Sequence, residues 1–285
     1  LVMRLLTDAD NQVRRSAAAA LEGLAPQLSD NEVAAVIAHW GQESDVPARV
    51  NLLRALGLAR RETARAFLLD AIANGTSLER PHAALALGLD GHADHAALLI
   101  DALADEHEVS NRSAIALALG LLGSKEAIAP IAGLLARERE PALQAYCSLA
   151  LGLIGGVEQE VVDQIEGFAR QSTDVQVVRY ATMALGLLGQ REVLARLAIE
   201  ADEVRSTLGR AARLHALGLV GDRYTLPLLL ALLDDDTQPS FVVAYALQAG
   251  GEVCDPRRLH PSWALARHVE LNHDIGFLFE LYRLL

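Results

Sequence analysis

The stretch Ser113-Ala114-Ile115-Ala116-Leu117-Ala118-Leu119-Gly120-Leu121-Leu122-Gly123 decides the fold, because copies of its Ala-Leu-Gly core recur before and after it. The copies are Ala55-Leu56-Gly57, Ala86-Leu87-Gly88, Ala118-Leu119-Gly120, Ala150-Leu151-Gly152, Ala184-Leu185-Gly186 and Ala216-Leu217-Gly218. Successive glycines are separated by 88−57 = 31, 120−88 = 32, 152−120 = 32, 186−152 = 34 and 218−186 = 32 residues. A near-constant period of this size marks a chain of stacked structural repeats. Degenerate copies, Ala20-Leu21-Glu22 before the series and Ala249-Gly250-Gly251 after it, extend the array.

Each period divides into two helical stretches. After Gly123, Ser124-Lys125-Glu126 supplies a cap for a helix from Ala127 to Arg139, with Ile128, Ile131, Leu134 and Leu135 at helical spacing. Pro141 suits the first turn of a second, more apolar helix that runs to Gly152, where glycine fits both a helix end and close packing. Small side chains at Ala114, Ala116 and Ala118 let helix axes approach, while Leu117, Leu119 and Leu122 supply apolar area. Each such leucine is worth roughly 1.5–3 kcal/mol when fully buried. One helical pair cannot bury both its faces; stacked neighbours can.

Outward from this centre the same plan holds. Residues 1 to 8 read as the end of a first helix, partnered by Val13 to Leu24. Ser29-Asp30-Asn31-Glu32 has capping-box spacing and opens a helix through Trp40, and Asp45 precedes the helix ending at Gly57. The third pair is Glu62 to Ala73 with Leu78 to Leu89, and the fourth is Ala93 to Ala104 with Ser110 to Leu122. The eighth is Asp222 to Leu233 with Phe241 to Ala249. After Gly251 the rhythm stops, and Trp263 to Leu271 and Ile275 to Leu285 read as two closing helices that cap the last apolar face.

The pattern resembles the HEAT-repeat family, in particular the short bacterial type known as phycobilisome-lyase-like, or PBS lyase HEAT-like, repeats. The likeness covers about residues 10 to 251, and the Ala-Leu-Gly-x-Leu-Gly ending is its most specific part. It implies an all-α, right-handed α-solenoid of about eight helical pairs with a divergent C-terminal cap. The expected layout is a single domain over residues 1–285, with repeats to about 251 and a cap over about 252–285. Functions on this fold vary, so the likeness implies architecture rather than chemistry.

Composition narrows the function. At 52% hydrophobic and 4% aromatic residues, the core is aliphatic and alanine-based. A net charge of −12, with Lys125 the only lysine, weighs against nucleic acid, whose affinity depends on neutralising phosphates. No apolar run approaches the roughly 18 residues needed to span a bilayer. Cys147 and Cys254 are too few for a disulfide framework or zinc pattern, and Cys147 reads as a buried thiol. No signal peptide is visible, and Leu1 is not an initiator methionine, so the chain reads as an excised or processed piece; a cytoplasmic protein is expected.

Five arginines, Arg14, Arg49, Arg80, Arg112 and Arg210, sit eight residues before a column position, with Asp10, Asp45 and Asp105 nearby as ties between successive turns. The second helices of the pairs are expected to line a concave side where partners dock. Six residues before the column position lie Asn51, His82, Tyr146, Tyr180 and Ala244, and three before it lie Arg54, Met183, His215 and Leu247. These offsets share one helical face. Tyr146, Tyr180 and Met183 are the candidate partner anchors, with Asn51, Arg54, His82 and His215 setting orientation.

Catalysis has thinner support. The HEAT-like deoxyhypusine hydroxylase holds a di-iron centre with several His-Glu pairs; this chain has only His107-Glu108. His92 and His95 share a helix start with Asp94 but have no evident third ligand. No phosphate loop, nucleophile elbow or zinc spacing is present. The sequence therefore points to a noncatalytic scaffold or adaptor for a protein or peptide, with no catalytic residues, metal or cofactor. The alternatives are a bilin- or tetrapyrrole-handling lyase-like subunit and a metal-dependent hydroxylase-like enzyme.

Overall fold

In a computed structural model, the chain is built from paired helices, and residues 1–77, 79–199, 207–220 and 223–254 are described. Sixteen α-helices and no strand occur among them. Although the sequence period passes from Gly120 to Gly152 without a break, the chain divides into two compact units, Leu1–Ala127 and Ile128–Leu285.

The first unit contains α1 (Val2–Leu5), α2 (Asn11–Leu24), α3 (Asp30–Trp40), α4 (Val46–Ala59), α5 (Glu62–Asn74), α6 (Glu79–Asp90), α7 (His95–Asp105) and α8 (Val109–Leu122). The even-numbered helices form an inner row in which α2 packs on α4, α4 on α6 and α6 on α8. The second unit contains α9 (Ile128–Arg137), α10 (Pro141–Ile154), α11 (Gln159–Gln171), α12 (Val175–Leu187), α13 (Arg191–Ile199), α14 (Thr207–Val220), α15 (Leu226–Asp234) and α16 (Ser240–Cys254). Its inner row is α10, α12, α14 and α16, again packed in sequence.

Local chemistry sets the helix starts. The Ser29 hydroxyl accepts from the Glu32 N–H while the Glu32 carboxylate reaches back to the Ser29 N–H at 2.9 Å, completing the capping box. Asp10, Asp45 and Asp174 each cap an inner helix by accepting backbone N–H bonds, and Pro141 occupies the first turn of α10. Outer helices bury one stripe, such as Val162, Ile165 and Ala169 of α11. In α4, α6, α8 and α10 burial goes all round over about two turns: residues 52–59, 81–88, 113–120 and 145–152 are all inside.

The column glycines do not end their helices. Gly57, Gly88 and Gly152 lie two residues inside α4, α6 and α10, where they form contact points between repeats. A Cβ on Gly57 would lie 2.3 Å from the Ala86 carbonyl oxygen; on Gly88, 2.9 Å from Ala118 Cα; on Gly152, 2.6 Å from Ala184 Cα; on Gly218, 2.6 Å from Ala249 Cα. In these four cases the glycine of a triplet thus receives the alanine of the next. The helix ends are made three residues later, by Gly91, Gly123, Gly155 and Gly189, all at positive φ.

The last repeat differs from the sequence expectation in two ways. Helix α16 continues through Gly250 and Gly251 to Cys254, because Val253 is held in a cluster with Leu214, Leu229, Val242 and Ala249. The Gly218–Ala249 contact also makes Gly251 the column position, 251−218 = 33 residues on, so Tyr245 rather than Ala244 takes the place six before it. Of the expected cap at 252–285, everything beyond Cys254 lies outside the described residues. No described helix is long and apolar enough to cross a membrane.

Candidate functional site

Arg14, Arg49, Arg80 and Arg210, near the starts of their inner helices, tie their repeats to residues at or just before the next inner helix. Arg14 donates to both Glu43 oxygens at 2.9 and 3.1 Å, and the neighbouring Arg15 to both Asp45 oxygens at 2.8 and 2.7 Å. Arg49 reaches Glu79, Arg80 lies 3.5 Å from Glu106, and Arg210 donates to Gln238 at 2.9 Å. The acceptors are therefore next-repeat residues; Asp45 contributes through Arg15 rather than through an arginine of its own helix. Arg15 and the Ala48 N–H hold the Asp45 carboxyl below its ordinary range. Burial pushes Glu43 the other way but is outweighed by Arg14 and the Asp45 N–H, so it too lies below its ordinary value.

In the first unit, three of the sequence candidates gather around a buried ion pair. Arg54 on α4 donates to Glu22 on α2 at 2.5 Å, both side chains being 1% exposed, and to Asn51 Oδ1 at 3.4 Å. Asn51 is half-buried and donates to the Arg15 carbonyl at 3.3 Å. His82 on α6 is buried, and desolvation, reinforced by the Arg54 charge, lowers its pKa to about 4. It is neutral at pH 7. The degenerate triplet explains the partnership: Glu22 stands where later repeats carry the column glycine.

In the second unit, Tyr146 on α10 and Tyr180 on α12 pack with ring centroids 5.4 Å apart and planes at 54°. They are 3% and 1% exposed, and burial pushes both phenols above their ordinary range, which keeps them protonated. Met183 is buried on α12. His215 on α14 is half-buried, and its ring lies 6.4 Å from that of Tyr245 on α16. Tyr245 was not among the sequence candidates; the 33-residue spacing to Gly251 is the signal that places it in the tyrosine column.

Arg54, His82, Tyr146, Tyr180 and Met183 thus lie inside the inner rows, and Asn51 and His215 at their margins. Arg213 is another charged side chain that is buried without having been singled out. Arg213 on α14 donates to the Ala169 carbonyl at 2.7 Å and the Leu197 carbonyl at 3.4 Å, near the C-terminal ends of α11 and α13. The partial negative charge of helix C-termini suits a guanidinium there.

The other candidate groups are placed as follows. His107 and Glu108 are exposed in the turn before α8, their N–H groups bonded to the Glu106 carboxylate at 2.8 and 3.0 Å. His95 is buried with its Nε2 3.6 Å from Asp90, whose carboxylate accepts from Arg65 at 2.8 Å, while His92 is exposed. Among the described residues, no three His, Cys, Asp or Glu side chains converge as metal ligands. Cys147 is buried on α10.

No protein-family model matches the chain, and no curated protein matches it. Solved structures do. The complex of CpcE and CpcF of phycocyanin lyase from Nostoc sp. PCC7120 is similar at 20% identity over 89% of this chain and 93% of that one, with a TM-score of 0.55. The Escherichia coli protein YibA is similar at 14% identity over 88% and 91%, with a TM-score of 0.53. Human deoxyhypusine hydroxylase matches at 18% identity over 88% and 94%, with a TM-score of 0.40. The chain has the HEAT-like helical-repeat fold.

Proposed function

We propose that the chain is a noncatalytic scaffold that holds a protein segment against its inner helices. The observation that carries this reading is the use made of the interior. The inner rows are closed by glycine–alanine contacts and buried tyrosines, and the buried charge at Arg54 is matched by Glu22. Recognition then falls to the margins, where Asn51 on α4 and His215 on α14 are half-exposed. Arg54, His82, Tyr146, Tyr180 and Met183 act from beneath, fixing the shape of the helices that carry those margins. The phycocyanin lyase likeness lends support, because that protein is a complex of two different chains.

Affinity purification of the full chain from its source cell, with mass spectrometry and an absorption spectrum on one sample, tests the proposal. A stoichiometric protein partner that is retained by the wild type and lost from Asn51→Ala or His215→Ala, with the helical signal intact, is the expected result. A partner held equally well by both variants removes the proposed margins. The same likeness gives a second reading, a bilin-handling lyase-like subunit. A co-purified chromophore absorbing in the visible, without a protein partner, would replace the scaffold by that reading.

A further inference from the structure

Arginine on the inner helices otherwise serves as a tie within the array. Arg15, seven residues before the column position Glu22, donates to both Asp45 oxygens, Arg210 donates to Gln238, and Arg213 donates to the Ala169 and Leu197 carbonyls. Arg179 on α12 stands at the same place as Arg15, 186−179 = 7 residues before Gly186, yet its guanidinium has no hydrogen-bond or ion-pair partner among the described residues. Its Nε is buried, and its charge bears on the phenol of Tyr180, so the group lies on the tyrosine side of α12. A cation partly shut off from water and lacking an acceptor is a place where an incoming carboxylate gains most. The charge around it is of one sign. Although the chain carries 37 Asp and Glu, α10, α12 and α14 contain none, against three arginines, and α16 has one, Glu252, beyond Gly251.

We propose that the inner row of the second unit receives an extended segment of a partner protein, with an Asp or Glu carboxylate on Arg179 and an apolar side chain on Tyr245. The inference rests on the scaffold reading and names the chemistry of the segment held. The two anchors share a side of the row. Arg179 lies seven residues before its column glycine and Tyr245 six before Gly251, and His215, on the helix between them, has its ring 6.4 Å from that of Tyr245. Tyr245 is 36% exposed, and Gln176 and Gln248, each three residues from an anchor on α12 or α16, reach the surface beside it. Packed helices lie about 8–10 Å apart, so α12 and α16 are separated by about 16–20 Å, a distance spanned by about five or six residues of extended chain. The chain's net charge of −12 disfavours a long acidic run, so selection falls on one carboxylate placed at a fixed point.

Random peptides displayed on phage and selected on the full chain supply the probe, and the strongest binder is titrated as a fluorescein-labelled synthetic peptide. The expected peptides carry Asp or Glu about five or six residues from an aromatic or aliphatic residue. The binder should weaken about tenfold on Arg179→Gln and on Tyr245→Ala. Arg139→Gln, the same charge change at an exposed arginine outside the inner helices, should leave it unchanged. Since Arg179 ties nothing within the array, Arg179→Gln should keep the wild-type thermal midpoint, whereas Arg49→Gln, which loses Glu79, should lower it. Selected peptides without an acidic residue, undiminished affinity for Arg179→Gln or Tyr245→Ala, a lowered midpoint in Arg179→Gln, or a failure to select any peptide each overturn the proposal. The scaffold reading fails or stands separately: a cellular partner lost from His215→Ala but held as well by Arg179→Gln as by the wild type leaves the scaffold and removes the acidic anchor.

Discussion

Arg60 occupies a position that glycine holds in the later repeats. It lies three residues after Gly57, as Gly91, Gly123, Gly155 and Gly189 lie three after their own column glycines, and it is left-handed at φ 51° and ψ 39°. For a residue with a Cβ that conformation costs about 1–2 kcal/mol, of which glycine's greater freedom in the unfolded chain returns a part. Arg60→Gly is therefore expected to stabilise the protein by about 0.5–1 kcal/mol, seen as a higher urea midpoint at unchanged slope. A lower midpoint would mean that the exposed Arg60 side chain contributes more than its backbone costs. His82 yields a prediction in pH. Its pKa falls from 6.5 to about 4 through desolvation first and the Arg54 charge second. The unfolded chain thus binds the proton more readily, so the contribution of neutral His82, about 3 kcal/mol, is complete above pH 6.5 and is lost as pH falls towards 4. Urea midpoints at pH 7 and pH 4.5 should drop further for the wild type than for His82→Gln. Equal drops in the two proteins would assign the acid sensitivity to other groups.

At the scale of the helix, glycine serves two purposes that look alike in a sequence. The Ala-Leu-Gly spacing made the pairs, their caps and the stacking order legible, since each depends on local pattern: Ser29-x-x-Glu32 for a cap, Pro141 for a first turn, Ile131 and Leu134 for a buried stripe. For the helices read as running to Gly57 and Gly152 it also suggested that the column glycine ends its helix, and there the reading was off by two residues. Close approach to a neighbour and a left-handed turn both favour glycine, and only the packed helices tell which demand applies at which position. The placement of Tyr146, Tyr180, Arg54 and His82 escaped the sequence for a related reason. A shared face at offsets of three and six residues describes one helix, but an inner helix has a neighbour on each side and an outer helix behind it, so little of its circumference is left to solvent. The two roles of glycine separate on substitution. Gly152→Ala drives a Cβ to 2.6 Å from Ala184 Cα and should cost roughly 1–3 kcal/mol by overpacking. Gly167→Ala, in α11 with nothing within 4 Å, should instead stabilise by about 0.5–1 kcal/mol through helix propensity. Denaturation midpoints that move in the same direction for both would show that the close approach at Gly152 is not energetically distinct.

At the scale of the whole chain, stability follows from the order of contacts. Inner helices touch the inner helices next to them, so an array of this kind is held by its repeats and the interfaces between neighbours. A weakened interface should then be felt locally, over the cooperative segment that contains it, rather than evenly along the chain. Gly152→Ala strains the contact between α10 and α12, which lies within the unit Ile128–Leu285. Native-state hydrogen exchange on that variant is expected to show faster amide exchange in α10 and α12, with exchange in α2, α4 and α6 of the unit Leu1–Ala127 unchanged. Equal acceleration in both sets would mean that the two units unfold as one cooperative body. The uninterrupted 32-residue step from Gly120 to Gly152 would then describe the energetics better than the division does. Strictly local acceleration would place the boundary of cooperativity where the contacts place it, even though the sequence repeats across it, because a repeating sequence specifies the kind of neighbour each helix takes and leaves the strength of each interface to the side chains that meet there.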